Sequence, residues 1–140
     1  MYRVTKTLRW EAAHRLVDGY QGNCSFVHGH SWVAEVTLES DALDGYGFVF
    51  DFNGFQPLKD FVCEHLDHSA MVNVRDFRWL EWLRENEQKV FVFPCNPTSE
   101  NIACLLFEKA QQFLGDALSS ARVVQVVVQE TCTGRAIYAR

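Results

Sequence analysis

From His28 to Glu39 the chain alternates strictly. His28, His30, Trp32, Ala34, Val36 and Leu38 fall on one side, and Gly29, Ser31, Val33, Glu35, Thr37 and Glu39 on the other. A period of two is that of a β-strand, whose successive side chains point to opposite faces. Only the first set is mostly apolar, so that face is expected to turn toward a core. Val4 to Ala13 reads as an earlier strand, closed by a loop holding Asp18, Gly19, Gly22 and Asn23. The two long strands are expected to form an antiparallel pair. Asp44-Gly45-Tyr46-Gly47 reads as a turn, and Phe48 to Phe52 as a further extended run.

The period then changes. Pro57 opens a helix in which Leu58, Phe61 and Val62 recur at helical spacing, with Leu66-Asp67-His68 at its end. Asn96-Pro97-Thr98-Ser99-Glu100 is a helix start, with Asn96 or Thr98 as cap and Glu100 favourable in the first turn. Ile102, Leu105, Leu106 and Phe113 continue that helix until Gly115. Arg122 to Gln129 is β-branched and reads as a strand, Gly134 breaks it, and Ala136 to Tyr138 forms a last one. Between Arg75 and Phe93 the pattern is weakest: Phe77, Leu80 and Leu83 suggest a short helix, and Val90 to Phe93 an extra strand. Strands and helices segregated in this way predict an α+β fold, with helices on one face of an antiparallel sheet. No repeat or linker interrupts residues 1–140, so a single domain is expected.

Composition narrows the function classes. A hydrophobic content of 48% fits a folded globular chain. The formal charge of -5 gives no reason to expect nucleic acid or an anionic membrane as partner. A small polyanionic substrate needs only a few local cations, because exposed charges are screened over about 8 Å at physiological salt. No secretory leader is expected from the short basic stretch Met1 to Arg9, and no apolar run approaches the roughly 20 residues that span a bilayer. Five cysteines without a CxxC pair read as free thiols, which makes the cytoplasm the expected location.

The candidate chemistry centres on histidines. His28 and His30, two apart on a strand, project from one face, and His14 ends the strand before them. If those strands pair, the three imidazoles converge. Three neutral imidazoles can hold Zn²⁺ and leave a fourth position open, the pattern of a catalytic site. Asp18 or Cys24 is the nearest candidate for a fourth ligand, as a structural site would require, and the same histidines can also be read as separate core or surface residues. Cys24 is a loop thiol that a nearby dication would turn into a base or nucleophile, or an inert one. In Asp67-His68 the carboxylate can orient the imidazole and stabilise its protonated form; the bland alternative is a surface pair at a helix end. Glu130 follows the apolar strand Val123 to Val128 and is either solvated or accepts two parallel N–H groups, as from an aminopyrimidinone edge. Thr131 and Thr133 beside it add hydroxyls or merely favour the strand.

Taken together these segments resemble one known family. Trp10-Glu11-Ala12-Ala13-His14-Arg15-Leu16 is similar to the first zinc-ligand motif of the 6-pyruvoyl-tetrahydropterin synthase superfamily, which usually begins Phe-Ser. Cys24-Ser25-Phe26-Val27-His28-Gly29-His30 resembles the CxxxHGH motif of its 6-carboxytetrahydropterin synthase branch, which belongs to the queuosine pathway. Phe50-Asp51-Phe52, Leu66-Asp67-His68, Asn96-Pro97-Thr98-Ser99-Glu100 and Glu130-Thr131-Cys132-Thr133 follow in the family's order. Two departures stand out: a longer stretch between His68 and Asn96, and Ser25-Phe26 where some members carry basic residues.

The resemblance implies a T-fold, an antiparallel sheet with two helices on one face, whose sheets join into a barrel in homo-trimers or hexamers with active sites between subunits. It implies Zn²⁺ on His14, His28 and His30, Cys24 as base, and His68 oriented by Asp67 as proton relay. Glu130, with Thr131, would hold the pterin. The implied reaction converts 7,8-dihydroneopterin triphosphate to 6-carboxy-5,6,7,8-tetrahydropterin, acetaldehyde and triphosphate. Arg9, Arg15 and Lys6 are candidate phosphate contacts by charge and location. The competing readings are a 6-pyruvoyltetrahydropterin synthase, which keeps the three-carbon side chain, and a non-catalytic zinc- or pterin-binding protein.

Overall fold

In the computed structural model, which describes Met1–Arg140, the two long alternating segments form the spine of one sheet. Strands β1 (Tyr2–His14) and β2 (His28–Ser40) pair antiparallel from Tyr2↔Ser40 to His14↔His28 without a slip. The pairing sets Trp10 opposite Trp32, both buried, with rings stacked 5.9 Å apart. Such aromatic cross-strand pairs contribute roughly 0.2–1 kcal/mol over an Ala pair. Trp32 Nε1 donates to Ala12 O at 3.1 Å, so this large ring is buried with its polar atom satisfied.

Strand β5 (Arg122–Thr131) adds antiparallel to β2, with a bulge at Thr37/Leu38, and β6 (Gly134–Ala139) adds antiparallel to β5. On the other side β3 (Ser69–Asn73) runs parallel to β1, and β4 (Val90–Phe93) parallel to β3, giving the order β4-β3-β1-β2-β5-β6. The expected antiparallel sheet is therefore its four-stranded part, extended by two short parallel strands. The strand expected over Phe48–Phe52 does not form. That run is bend and irregular backbone leading into a 3₁₀ turn at Phe52–Phe55, where Asp51 accepts from Asn53 N. Phe50 and Phe55 are buried edge to face against each other, so the apolar run serves to pin a loop.

Helix α1 (Gln56–Phe61), with Pro57 in its first turn, widens into a single π-helical turn over Val62–Leu66. Helix α3 (Ser99–Leu114) starts at Thr98, whose Oγ1 accepts from Asn101 N at 3.3 Å, and tightens into a 3₁₀ turn over Gly115–Ala117. Ile102, Leu106, Phe107, Ala110 and Leu114 of α3, with Leu58 and Phe61 of α1, bury against Leu8, Trp10, Trp32, Ala34, Val36, Leu38, Val126 and Val128 of the sheet. The apolar face expected for β2 is thus the core face, and each fully buried large side chain there stabilises the fold by roughly 1.5–3 kcal/mol.

A third helix, α2 (Phe77–Glu85), lies elsewhere. Its Leu80 and Leu83 pack on Ala70 and Val72 of β3, whereas Met71 between them joins the main core. Alternation along β3 therefore puts α2 on the face of the sheet opposite α1 and α3.

Candidate metal centre and active site

The β1–β2 register delivers the histidines together. His14 is the last residue of β1, His28 the first of β2 and its direct partner, and His30 is two residues further on the same face. Each ring offers a nitrogen lying within 4.8 Å of those of the other two. His14 is buried, against Trp32. Its Nδ1 contacts Pro97 O at 2.7 Å, and His28 Nδ1 contacts Phe26 O at 2.8 Å. A carbonyl oxygen only accepts, so Nδ1 is the donor in both rings and each neutral ring keeps its lone pair on Nε2. Those two Nε2 atoms face each other at 3.0 Å.

Two lone pairs at that distance repel unless a proton or another cation lies between them. A proton is disfavoured: burial pushes the His14 pKa below 6.5, with the neighbouring His28 adding to the effect, against the opposing pull of the Pro97 carbonyl and Glu130. Burial also lowers His30, and its Nε2 is buried without a hydrogen-bond partner. The one other orphan nitrogen, Trp10 Nε1, is a donor in the core and unsuited to a cation. Three imidazoles, two of them held with Nε2 as the acceptor by backbone carbonyls, form a donor set suited to a divalent zinc-type ion. The residues present fit that metal.

A profile of the 6-pyruvoyl tetrahydropterin synthase family matches residues 3–140. The chain belongs to this family of pterin synthases. Relatives within it include a 6-carboxy-5,6,7,8-tetrahydropterin synthase of Rickettsia bellii, 35% identical over 74% of this chain and 75% of that one. Another protein of the same name, from Aquifex aeolicus, is 32% identical over 98% of this chain and 97% of its own. Among solved structures, an uncharacterised protein of Wolinella succinogenes superposes with a TM-score of 0.85 at 23% identity, covering 99% of this chain and 98% of its own. A Caenorhabditis elegans 6-pyruvoyl tetrahydropterin synthase gives 0.74 at 23%, covering 99% and 95%. These likenesses establish the T-fold of the family for this chain.

Other sequence-selected residues fall around the centre in three groups. Asp18 is no fourth ligand: its carboxylate is taken by Arg75 in a two-pronged ion pair and by Asn73. Cys24 is half-buried in the loop before β2, and its sulfur is outside the histidine cluster. Glu130 lies one residue beyond the β2–β5 pair Val33↔Gln129, accepts from Ser99 Oγ at 3.2 Å, and is close enough for its charge to act on His14 and His30. Glu130 and Thr131 also border a hollow of about 490 Å³ with Arg9, Glu35 and Gln129. Arg15, by contrast, is committed to Asp76 and is not free for phosphate, and Lys6 lies over the Phe52 ring.

Asp67 and His68 form the expected pair, Asp67 Oδ2 to His68 Nδ1 at 3.0 Å. Asp67 Oδ1 accepts from Glu11 N at 2.9 Å, which more than its histidine neighbour holds the carboxyl below its ordinary range. His68 N donates to Glu11 O, and φ of +58° at His68 is a left-handed backbone that residues with a Cβ adopt uncommonly. The exposed His68 ring borders a hollow lined by Glu11, Ala12, Ala13, Gly29, Ser31 and Ser69 and also by His30 of the cluster. Glu11, Ala13, Gly29 and Ser31 alternate along β1 and β2 with the three clustered histidines. Within one chain, then, no hydrogen bond joins Cys24 to Asp67 or His68. Sequence reasoning missed the two carbonyls, Phe26 O and Pro97 O, that fix the tautomers. Backbone atoms leave no residue signature, although Pro97 stood inside the helix-start motif.

Proposed function

We propose that this protein is a zinc-dependent 6-carboxytetrahydropterin synthase of 7-deazaguanine (queuosine) biosynthesis. It would convert 7,8-dihydroneopterin triphosphate and water to 6-carboxy-5,6,7,8-tetrahydropterin, acetaldehyde and triphosphate. The observation that carries the reading is the His14–His28 pair, whose lone pairs face each other over 3.0 Å beside an unpartnered His30. The names of relatives that match about a third of the aligned residues support the carboxy-forming reaction over the pyruvoyl-forming one. Bound at the three imidazoles, zinc supplies Lewis-acid stabilisation of negative charge on side-chain oxygens of the substrate.

The chain's own groups then have separate tasks. Cys24, as thiolate, takes a proton from the substrate side chain. His68, held by Asp67, gives or relays protons, and would meet Cys24 from a second copy of the chain, since no hydrogen bond joins the two within one copy. Glu130, seated by Ser99, accepts the parallel N–H groups of the pterin edge, with Thr131 beside it. The working form is accordingly a homo-oligomer, trimer or hexamer, with sites between subunits. No helix is long and apolar enough to cross a membrane, and the cytoplasmic location we propose rests on the five free cysteines, which suit a reducing compartment.

The test is mass spectrometry of the products formed by zinc-loaded protein from 7,8-dihydroneopterin triphosphate. A 6-carboxy pterin with acetaldehyde is expected. A 6-pyruvoyl pterin would move the protein to the other branch of the family, and no consumption by zinc-replete protein would sink the catalytic reading.

A further inference from the structure

The stretch between His68 and Asn96 folds into β3, α2 and β4, and its first turn is bonded to both loops that flank the metal cluster. Arg15, the residue after His14, crosses to α2. Its Nε donates to Asp76 Oδ2 at 2.6 Å and its Nη2 to Asp76 Oδ1 at 2.5 Å, while its guanidinium lies 5.6 Å from the Trp79 ring centre. Asp76 is buried and immediately precedes α2, where its backbone N bonds Asn73 O. Three residues further along the first loop, Asp18 is gripped by Arg75 and by Asn73 Nδ2. Between these points, Val17 is bonded through both its N and its O to the Asn96 side chain, which also accepts from Asn73.

The loop held in this way carries the active-site thiol. Leu16 N donates to Cys24 O at 2.8 Å, so the segment Arg15–Asp18 is the backbone neighbour against which Cys24 is placed. Asn96 precedes Pro97, whose carbonyl fixes the His14 tautomer. One polar assembly therefore touches the residue after one metal ligand, the residue before the carbonyl that orients it, and the strand of loop that backs Cys24. Carboxylate–guanidinium pairs with two parallel bonds fix direction as well as distance. Asp76 is the buried partner and Arg15 only partly accessible, so the fork ties the loop after His14 to one fixed point at the start of α2.

We propose that Asn73–Asp76, at the start of this α2 segment, is a positioning strap that sets Cys24 relative to the three histidines, with Arg15, Asp18, Asp76 and Asn96 as positioning residues. This rests on the reading of Cys24 as the active-site base. Loosening the strap leaves the metal ligands in place but lets the Cys24 loop drift, and a displacement of about 1 Å in a reacting group can cost on the order of 100-fold in rate.

The experiment uses two full-length, zinc-loaded variants: Asp76→Asn, which weakens the buried fork, and Arg75→Gln, which loosens the exposed pair and preserves folding should the first variant fail to fold. Each is compared with wild type for bound zinc, kcat, KM and the iodoacetamide labelling rate of each cysteine by peptide mass spectrometry. Exposed Cys63 and Cys132 serve as internal controls. The expected result is one zinc retained, kcat lowered about 10–100-fold with KM within about threefold, and Cys24 labelling raised on the order of tenfold by local opening while the controls do not move. Unchanged kcat and unchanged Cys24 labelling in the folded variants overturn the strap, as does a change shared equally by all cysteines. Labelling needs no turnover. A wild-type protein inactive on the pterin therefore defeats the functional reading, while Cys24 labelling still decides the strap.

Discussion

Replacing His14 by alanine separates metal binding from packing. In the wild type the ring donates from Nδ1 to Pro97 O and sets Nε2 3.0 Å from that of His28. Zinc at a thousand times its dissociation constant stabilises a folded state that alone binds it by about 4 kcal/mol, which for a chain of this size raises the melting temperature on the order of 10 °C. The variant has a second cost that needs no metal: Pro97 O loses its donor in a buried setting, worth roughly 1–3 kcal/mol. Urea denaturation of both proteins, with zinc and with chelator, yields four free energies. The zinc increment of the wild type minus that of the variant cancels the packing and carbonyl costs, which are common to both zinc states. The expected remainder is about 3–4 kcal/mol, because two imidazoles hold the ion far more weakly than three. A wild-type increment near zero at saturating zinc, or an undiminished increment in His14→Ala, would refute the assignment of these nitrogens to a metal.

Acid should act through the same rings. Burial holds the folded-state pKa of His14 and His30 below 6.5, so the unfolded chain binds more protons as pH falls through 6.5. Metal-free stability is expected to decline from there down to the folded pKa values and to be insensitive to these groups above 6.5, as urea midpoints across pH would register. Cys24→Ala should keep one zinc and the wild-type melting temperature yet lose turnover; loss of zinc in that variant would make the thiol a ligand. Cys24→Ala and His68→Gln proteins, each inactive, should regain partial turnover when unfolded and refolded together, and no recovery would argue against sites shared between copies. Leu106→Ala, at a fully buried position of α3, should cost about 2–5 kcal/mol with an unchanged urea slope.

What the sequence disclosed was whatever alternates or caps. The β2 pattern announced both its core face and the shared direction of His28 and His30, and Thr98 announced α3. Strand β3 escaped because all of Ser69–Asn73 is buried, Met71 under one layer and Ala70 and Val72 under the other, which erases any alternation. The same two-sided burial hid the position of α2: its apolar spacing was readable, but nothing local tells a helix which face of a sheet it will cover. Phe48–Phe52 misled for the opposite reason, since an apolar run looks extended whether it pairs with a strand or folds under one. Asp67-His68 was legible as a pair and illegible as a place. Arg15 shows the same limit: a cation near a ligand looks free until its carboxylate, far along the chain, is known.

Strand β2 carries two of the three clustered histidines and the heart of the core on one row of side chains, His28 and His30 leading into Trp32, Ala34, Val36 and Leu38. A slip of one residue against β1 would send that entire row to solvent and bring Gly29, Ser31 and Glu35 inside. Misregistered molecules thus lose their core and their imidazole cradle in the same error. No population of folded but metal-blind molecules can arise from that fault, so the quality control that removes unstable chains also proofreads the site.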